Sequence, residues 1–125
     1  MEKFCRVVLD TNFMLIPFQF SVDIKAELDR ILDFNYRIYT LDGVLKELEV
    51  LSKEKGQSGR AAKASLEMAK DFPTLTANGD IDDTLLRLAS NDTIICTNDR
   101  ILKEKIKRKG APVIYLRQKK YLMID

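Results

Sequence analysis

Acidic side chains are the groups in this sequence whose types and spacing suggest chemistry. Asp10 ends the apolar run Val7-Val8-Leu9, and Asp99 lies two residues beyond Thr97, which closes the run Thr93-Ile94-Ile95-Cys96-Thr97. Between them come Glu47 and the run Asp80-Ile81-Asp82-Asp83. Deprotonated carboxylates gathered at one crevice repel each other, and a cation among them relieves that repulsion. All-oxygen ligation suits Mg²⁺ or Mn²⁺ rather than zinc. Such an ion lowers the pKa of a bound water and stabilises charge on a phosphodiester. The chemistry indicated is metal-dependent phosphoryl transfer, most simply that of a nuclease.

What is missing points the same way. The chain has no His, which removes Ser/His/Asp and Cys/His catalysis and His-ligated zinc. Its two Cys, Cys5 and Cys96, each sit inside an apolar run and read as buried, reduced packing residues. A hard ion held by carboxylates needs no histidine base.

Those acids need strands and helices to carry them. Val7 to Asp10, Arg37 to Leu41, Thr93 to Thr97 and Val113 to Leu116 read as strands, Pro73 to Thr76 as a weak one, and Tyr121 to Ile124 as an edge. Between them lie helical patterns. Ser21 is expected to cap one carrying Ile24, Leu28, Ile31 and Leu32. Asp42 is expected to cap one carrying Val44, Leu48 and Leu51. An Ala-rich helix with Leu66 and Met68 follows Gly56-Gln57-Ser58-Gly59, the most flexible-looking stretch. Asp80 or Asp82 starts another through Leu85, Leu86 and Ala89, and Ile101, Leu102 and Ile106 mark the last, which Gly110 stops. The apolar stretch Phe13-Met14-Leu15-Ile16-Pro17-Phe18 is read as lining either a dimer interface or the core. Strands alternating with helices, and apolar on both faces, predict a mostly parallel sheet covered on each side.

In an open parallel sheet the functional crevice lies beyond the carboxyl ends of the strands. If their strands are central and parallel, Asp10 and Asp99 converge there. At about 100° per residue, Glu47 shares a half of its helix with Val44, Leu48 and Leu51, where a carboxylate needs a partner or an ion. Asp82 lies nearer the apolar face of its helix and Asp83 on the border. Periodicity does not choose between them, and acids at a helix start also serve as caps.

At 125 residues and 14.4 kDa the chain has the size of one domain. With 46% hydrophobic and 32% charged residues it is globular in composition. Its apolar runs are too short for a membrane span, and its start lacks a signal-peptide core, so a cytoplasmic location with no membrane partner is expected. The net charge of +2 conceals an asymmetry. From Arg100 to Asp125 nine basic residues oppose two acids, a balance of +7, which leaves twelve against seventeen, or −5, from Met1 to Asp99. A basic segment beside acids fits a polyanion held against a metal centre. Lys103, Lys105, Lys107, Arg108 and Lys109 are the candidate phosphate contacts, with a solvated helix face as the alternative. Tyr115 and Tyr121 are read as packing residues rather than base-stacking ones.

Four segments in order carry a resemblance: Val8-Leu9-Asp10-Thr11-Asn12, Val44-Leu45-Lys46-Glu47-Leu48, Asp82-Asp83-Thr84-Leu85-Leu86 and Thr97-Asn98-Asp99-Arg100-Ile101-Leu102. Together with the closing run Gly110 to Leu116, they resemble the PIN-domain family over nearly the whole chain. The resemblance implies a single PIN-like nuclease domain over residues 1–125, a three-layer α/β/α sandwich with a mostly parallel central sheet. It implies a Mg²⁺- or Mn²⁺-dependent ribonuclease, endonucleolytic and acting in RNA processing. It matches Asp10, Glu47, Asp83 and Asp99 to the family's catalytic, metal-holding acids, and Asn12 and Thr97 to polar residues lining the site. Asp82 stays either a further ligand or a cap. The Asp82-Asp83 pair and the Asp10-Thr11-Asn12-Phe13 opening look closer to archaeal and ribosomal-RNA-processing PIN proteins than to toxin nucleases.

The sequence also bounds the rivals. A haloacid-dehalogenase phosphatase would want Asp where Asn12 stands, and a receiver domain would want an acidic pair where Arg6-Val7-Val8-Leu9 runs. The remaining alternative is a PIN-fold RNA-binding or assembly module with little or no activity. RNA is the expected partner; a homo-oligomer, a protein regulator or an RNA-processing assembly fits the family by analogy.

Overall fold

The computed structural model describes residues 4–125. Its elements run β1 (Cys5–Leu9), α1 (Thr11–Phe20), α2 (Ile24–Ile31), β2 (Tyr36–Leu41), α3 (Asp42–Ser52), α4 (Gln57–Ala69), β3 (Thr74–Leu75), α5 (Ile81–Leu88), β4 (Thr93–Cys96), α6 (Arg100–Arg108), β5 (Val113–Arg117) and β6 (Tyr121–Ile124). One six-stranded sheet has the order β3-β2-β1-β4-β5-β6. All neighbours are parallel except β5 and β6, which form an antiparallel hairpin.

The strand order reverses direction at β1. The chain steps outward from β1 through β2 to β3, then crosses to β4 on the other side of β1 and continues to β5. Right-handed crossovers therefore send α1, α3 and α4 to one face and α5 and α6 to the other. The packing agrees, since α1, α3 and α4 lie on one another and α5 lies on α6. This is the expected α/β/α arrangement, and the crevice between β1 and β4 is its switch point. Val7, Val8, Leu9, Ile94, Ile95 and Cys96 on these central strands are essentially inaccessible, because helices cover both faces.

Several local details differ from the sequence reading. Residues 13–18 belong to α1, whose Phe13, Met14, Leu15 and Ile16 are all buried. Four consecutive buried residues, one full turn, show no amphipathic period, and Pro17 just after them looks like a break. Ser21 ends α1 in the left-handed conformation (φ 55°) instead of starting α2, which Asp23 caps by accepting from the Ala26 N–H. Asp42 is the first residue of α3, with Leu41 at the cap position. Its carboxylate accepts instead from Gly43 and Ala77, tying the loop after β3 to α3. Gly56 to Gly59 is a tight junction: a Cβ on buried Gly59 would lie 1.9 Å from the Glu54 carbonyl oxygen. The free edge of β6 is blunted by α2, where Glu27 accepts from the Leu122 N–H and Arg30 donates to the Leu122 carbonyl. Cys5 and Cys96 are both buried and unbonded.

Candidate active site

Asp10 is the first residue after β1 and the N-cap of α1. Its Oδ1 accepts from the Phe13 N–H at 2.7 Å, while its own N–H donates to the Cys96 carbonyl on β4. Capping explains why the chain can turn from strand to helix immediately after the acid. The same device recurs across the crevice. Asp99 follows β4 and caps α6, accepting from the Leu102 N–H at 2.9 Å, and Asp80 caps α5 by accepting from the Asp83 N–H. Three helix starts thus turn toward one edge of the sheet, each with an aspartate at its cap.

Thr97 links two of these acids. Its buried hydroxyl donates to Asp10 Oδ2 at 2.5 Å and accepts from the Asp99 backbone N–H at 3.1 Å. Next to it, Asn98 accepts from the Leu116 N–H and donates to the Leu116 carbonyl, pinning the loop to β5 as a strand residue would. Glu47 comes from the middle of α3, where the Thr11 hydroxyl donates to its Oε1.

These groups surround a cavity of about 270 Å³ lined by Asp10, Thr11, Asn12, Glu47, Asp80, Ile81, Asp82 and Asp99. Five of the eight are carboxylates and none is a cation. The uncompensated charge marks the titration of the acids. Burial pushes the Asp10 carboxyl up to about 6 from an ordinary 3.8, the charges of Asp82 and Asp99 add to the rise, and the Thr97 and Phe13 hydrogen bonds oppose it. Burial also raises Asp82, followed by repulsion from Asp99, Asp80, Glu47 and Asp83. Among the described residues no three Asp, Glu, Cys or His side chains are drawn into a ready ligand group. The donor chemistry nevertheless fits a hard divalent cation: all oxygen, excess negative charge and no basic side chain on the wall.

The expected site residues do not all arrive together. Asp10, Asn12, Glu47, Asp82 and Asp99 share the cavity, and Thr97 lies directly behind Asp10. Asp83 borders an adjoining hollow with Asp82, Leu86, Asp99, Ile101, Leu102 and Lys105. Because Asp80 supplies the α5 cap, Asp82 is released from that duty and turns into the cavity. Asp80 takes the helix start left open between it and Asp82 and also lines the cavity, while Thr11 and Asn98 acquire roles not assigned from the sequence. Helix capping was a visible signal for Asp80 alone.

The basic run on α6 is also divided. Lys105 borders the hollow beside the acids. Lys103 sits 4.1 Å from the centroid of the Tyr115 ring, Lys107 pairs with Asp125, and Lys109 donates to the Leu86 and Arg87 carbonyls. The helix begins at the site and runs away from it, so residues 107–109 lie about 12 Å further along its axis. Tyr115 and Tyr121 are half-buried, in keeping with packing.

This fold is that of a known class. A model of the PIN like domain matches residues 7–119, and the chain belongs to that family. It is 34% identical to Ribonuclease VapC4 of Methanocaldococcus jannaschii, over 95% of each chain. It is 31% identical to Ribonuclease VapC9 of Archaeoglobus fulgidus, over 97% of this chain and 89% of the relative. Among solved structures, the PIN domain endonuclease Utp24 superposes with a TM-score of 0.77 at 25% identity, covering 96% of this chain and 90% of the other. A domain of a functionally unknown protein from M. jannaschii shares the fold, with a TM-score of 0.61 at 18% identity over 90% and 91% of the two chains. Among the described residues no helix is long and apolar enough to cross a membrane.

Proposed function

We propose that this chain is a ribonuclease that hydrolyses RNA phosphodiesters with Mg²⁺ or Mn²⁺ held by Asp10, Glu47, Asp82 and Asp99. The observation that carries the proposal is the cavity at the switch point, where five carboxylates meet without a cation in a chain homologous to ribonucleases. A bound divalent ion would supply charge stabilisation at the phosphodiester and a water of lowered pKa.

The chain's own residues do the positioning. Thr97 fixes the orientation of Asp10 and ties it to the α6 start, so the first and last acids hold their separation through a single hydroxyl. Thr11 does the same for Glu47. Asn12, exposed at the cavity wall, is offered to the substrate as a hydrogen-bonding group. Asp83 is assigned a supporting role from the adjoining hollow, and Lys105 a phosphate contact on that side.

The test is cleavage of a labelled structured RNA by pure protein with Mn²⁺, Mg²⁺ or EDTA, beside Asp10→Asn. Metal-dependent cuts that vanish in the variant are expected. Cuts that survive it would reject the site, and salt-sensitive RNA binding without any cleavage would favour the RNA-binding module instead.

A further inference from the structure

The basic residues best placed to guide an RNA strand away from the acids lie around the α3–α4 junction, not on α6. Glu47, Val50 and Leu51 recur at a spacing of three and four residues, so they share one side of α3 leading away from the cavity. Thr11, Asn12 and Glu47, which line the acid cavity, also line a second hollow whose floor is Val50 and Leu51. Val50 is 67% exposed, so its side chain offers an open apolar surface beside the charged cleft. Immediately after Leu51 in the chain, a separate hollow of about 670 Å³ is lined by Ser52, Lys53, Glu54, Lys55, Gly56, Arg60 and Lys63.

This last hollow is built by the tight turn between the helices. Gly56 takes φ 81°, and the missing side chain of Gly59 lets the first turn of α4 close against the Glu54 carbonyl. The closure brings Lys53 and Lys55, just past the end of α3, and Arg60 and Lys63, from the first half of α4, to one concavity. All four are exposed, and none forms an ion pair with a described residue, whereas Lys107 on α6 does. Glu54 is the one acid on the wall.

We propose that Lys53, Lys55, Arg60 and Lys63 form a second RNA site, holding backbone phosphates of a single strand that leaves the acid cavity across Val50 and Leu51. The proposal rests on the ribonuclease reading for the strand's direction. The apolar step suits an unpaired base, whose face is free to lie on Val50, and the cations beyond it suit the phosphates that follow.

The test compares the wild type with a variant carrying Lys53→Gln, Lys55→Gln, Arg60→Gln and Lys63→Gln. A control carries Arg37→Gln, Lys70→Gln and Arg87→Gln, at the amino-terminal edge of the sheet. Binding of a long single-stranded RNA is titrated against salt in an Asp10→Asn background. Cleavage is measured on that RNA and on a short one ending just past the cut. Each lost phosphate contact should lower the salt slope by about 0.7, so a fall of about 2 to 3 is expected for the four-site variant and little change for the control. KM for the long RNA should rise roughly tenfold with kcat retained, and the short RNA should be unaffected. An unchanged slope overturns the proposal, as does an equal loss on both RNAs, which would mean damage to the acid cavity. If no RNA is cut by any form, the ribonuclease reading fails while the salt slope still decides whether the hollow binds RNA.

Discussion

The Thr97 hydroxyl lies 2.5 Å from Asp10 Oδ2, and this contact joins the ends of the two central strands. The buried carboxylate receives there one of the two hydrogen bonds that oppose its desolvation. Thr97→Val keeps the shape and removes the hydroxyl, so Asp10 Oδ2 and the Asp99 N–H each lose this partner while Phe13 N–H still donates to Asp10 Oδ1. A loss of about 1–3 kcal/mol is expected, together with a rise of the Asp10 pKa. Denaturant titration and the pH profile of cleavage check both, and Thr97→Ser should restore them. A profile unmoved by valine would mean that Thr97 is only a packing residue.

Asp10 makes stability depend on pH with a definite sign. Its folded pKa of about 6 exceeds the ordinary 3.8, so between those values the folded state holds more protons than the unfolded one. The contribution of Asp10 to stability is therefore full below about pH 4 and is lost as pH rises through 6, a change of about 3 kcal/mol in metal-free protein. Asp10→Asn should flatten that decline and melt higher than wild type at pH 7 in EDTA. Thermal melts across pH 4–8 measure it, and an unchanged slope would refute the burial argument.

Mn²⁺ or Mg²⁺ should reverse the same penalty. Added ion is expected to raise the wild-type Tm at pH 7, by an amount that grows with concentration, with little effect on Asp10→Asn. Equal shifts in the two proteins would place the ion elsewhere.

Asp82 and Asp83 should separate. Asp82 lines the cavity and feels four neighbouring acids, whereas Asp83 borders the hollow next door. Asp82→Asn is expected to weaken Mn²⁺ binding by roughly 10- to 100-fold and cleavage with it, and Asp83→Asn by a few-fold at most. Calorimetric titration of both variants gives the order, and the reverse order would return the ligand role to Asp83.

Gly59→Ala should cost about 1–3 kcal/mol, because its Cβ would fall 1.9 Å from a backbone oxygen that has no rotamer to yield. A neutral result in denaturant titration would show that the α3–α4 junction is looser than its packing implies.

The sequence alone determined a good deal of this. Asp10 was legible because it directly ends a buried apolar run, and Asp99 because it follows another within two residues of Thr97, so both must lie near a strand's carboxyl end. The mostly parallel sheet, its weak third strand and an edge strand at Tyr121 to Ile124 were legible from the same runs, and Glu47 from its place beside an apolar stripe; that the edge strand closes an antiparallel hairpin was not. Helix α1 was hidden because its buried residues, Phe13 to Ile16, run consecutively around one whole turn, which erases the period by which helices are recognised. The choice between Asp82 and Asp83 was hidden too, since one helical step separates them and the choice depended on Asp80 capping α5. Only the tertiary structure brought the cations around the α3–α4 junction into one hollow while α6 carried several of its own away from the site. Local patterns fix what each segment can be, because periodicity and capping act within a few residues. Which charges meet depends on strand order and helix direction, and these are decided by contacts between segments far apart in the chain.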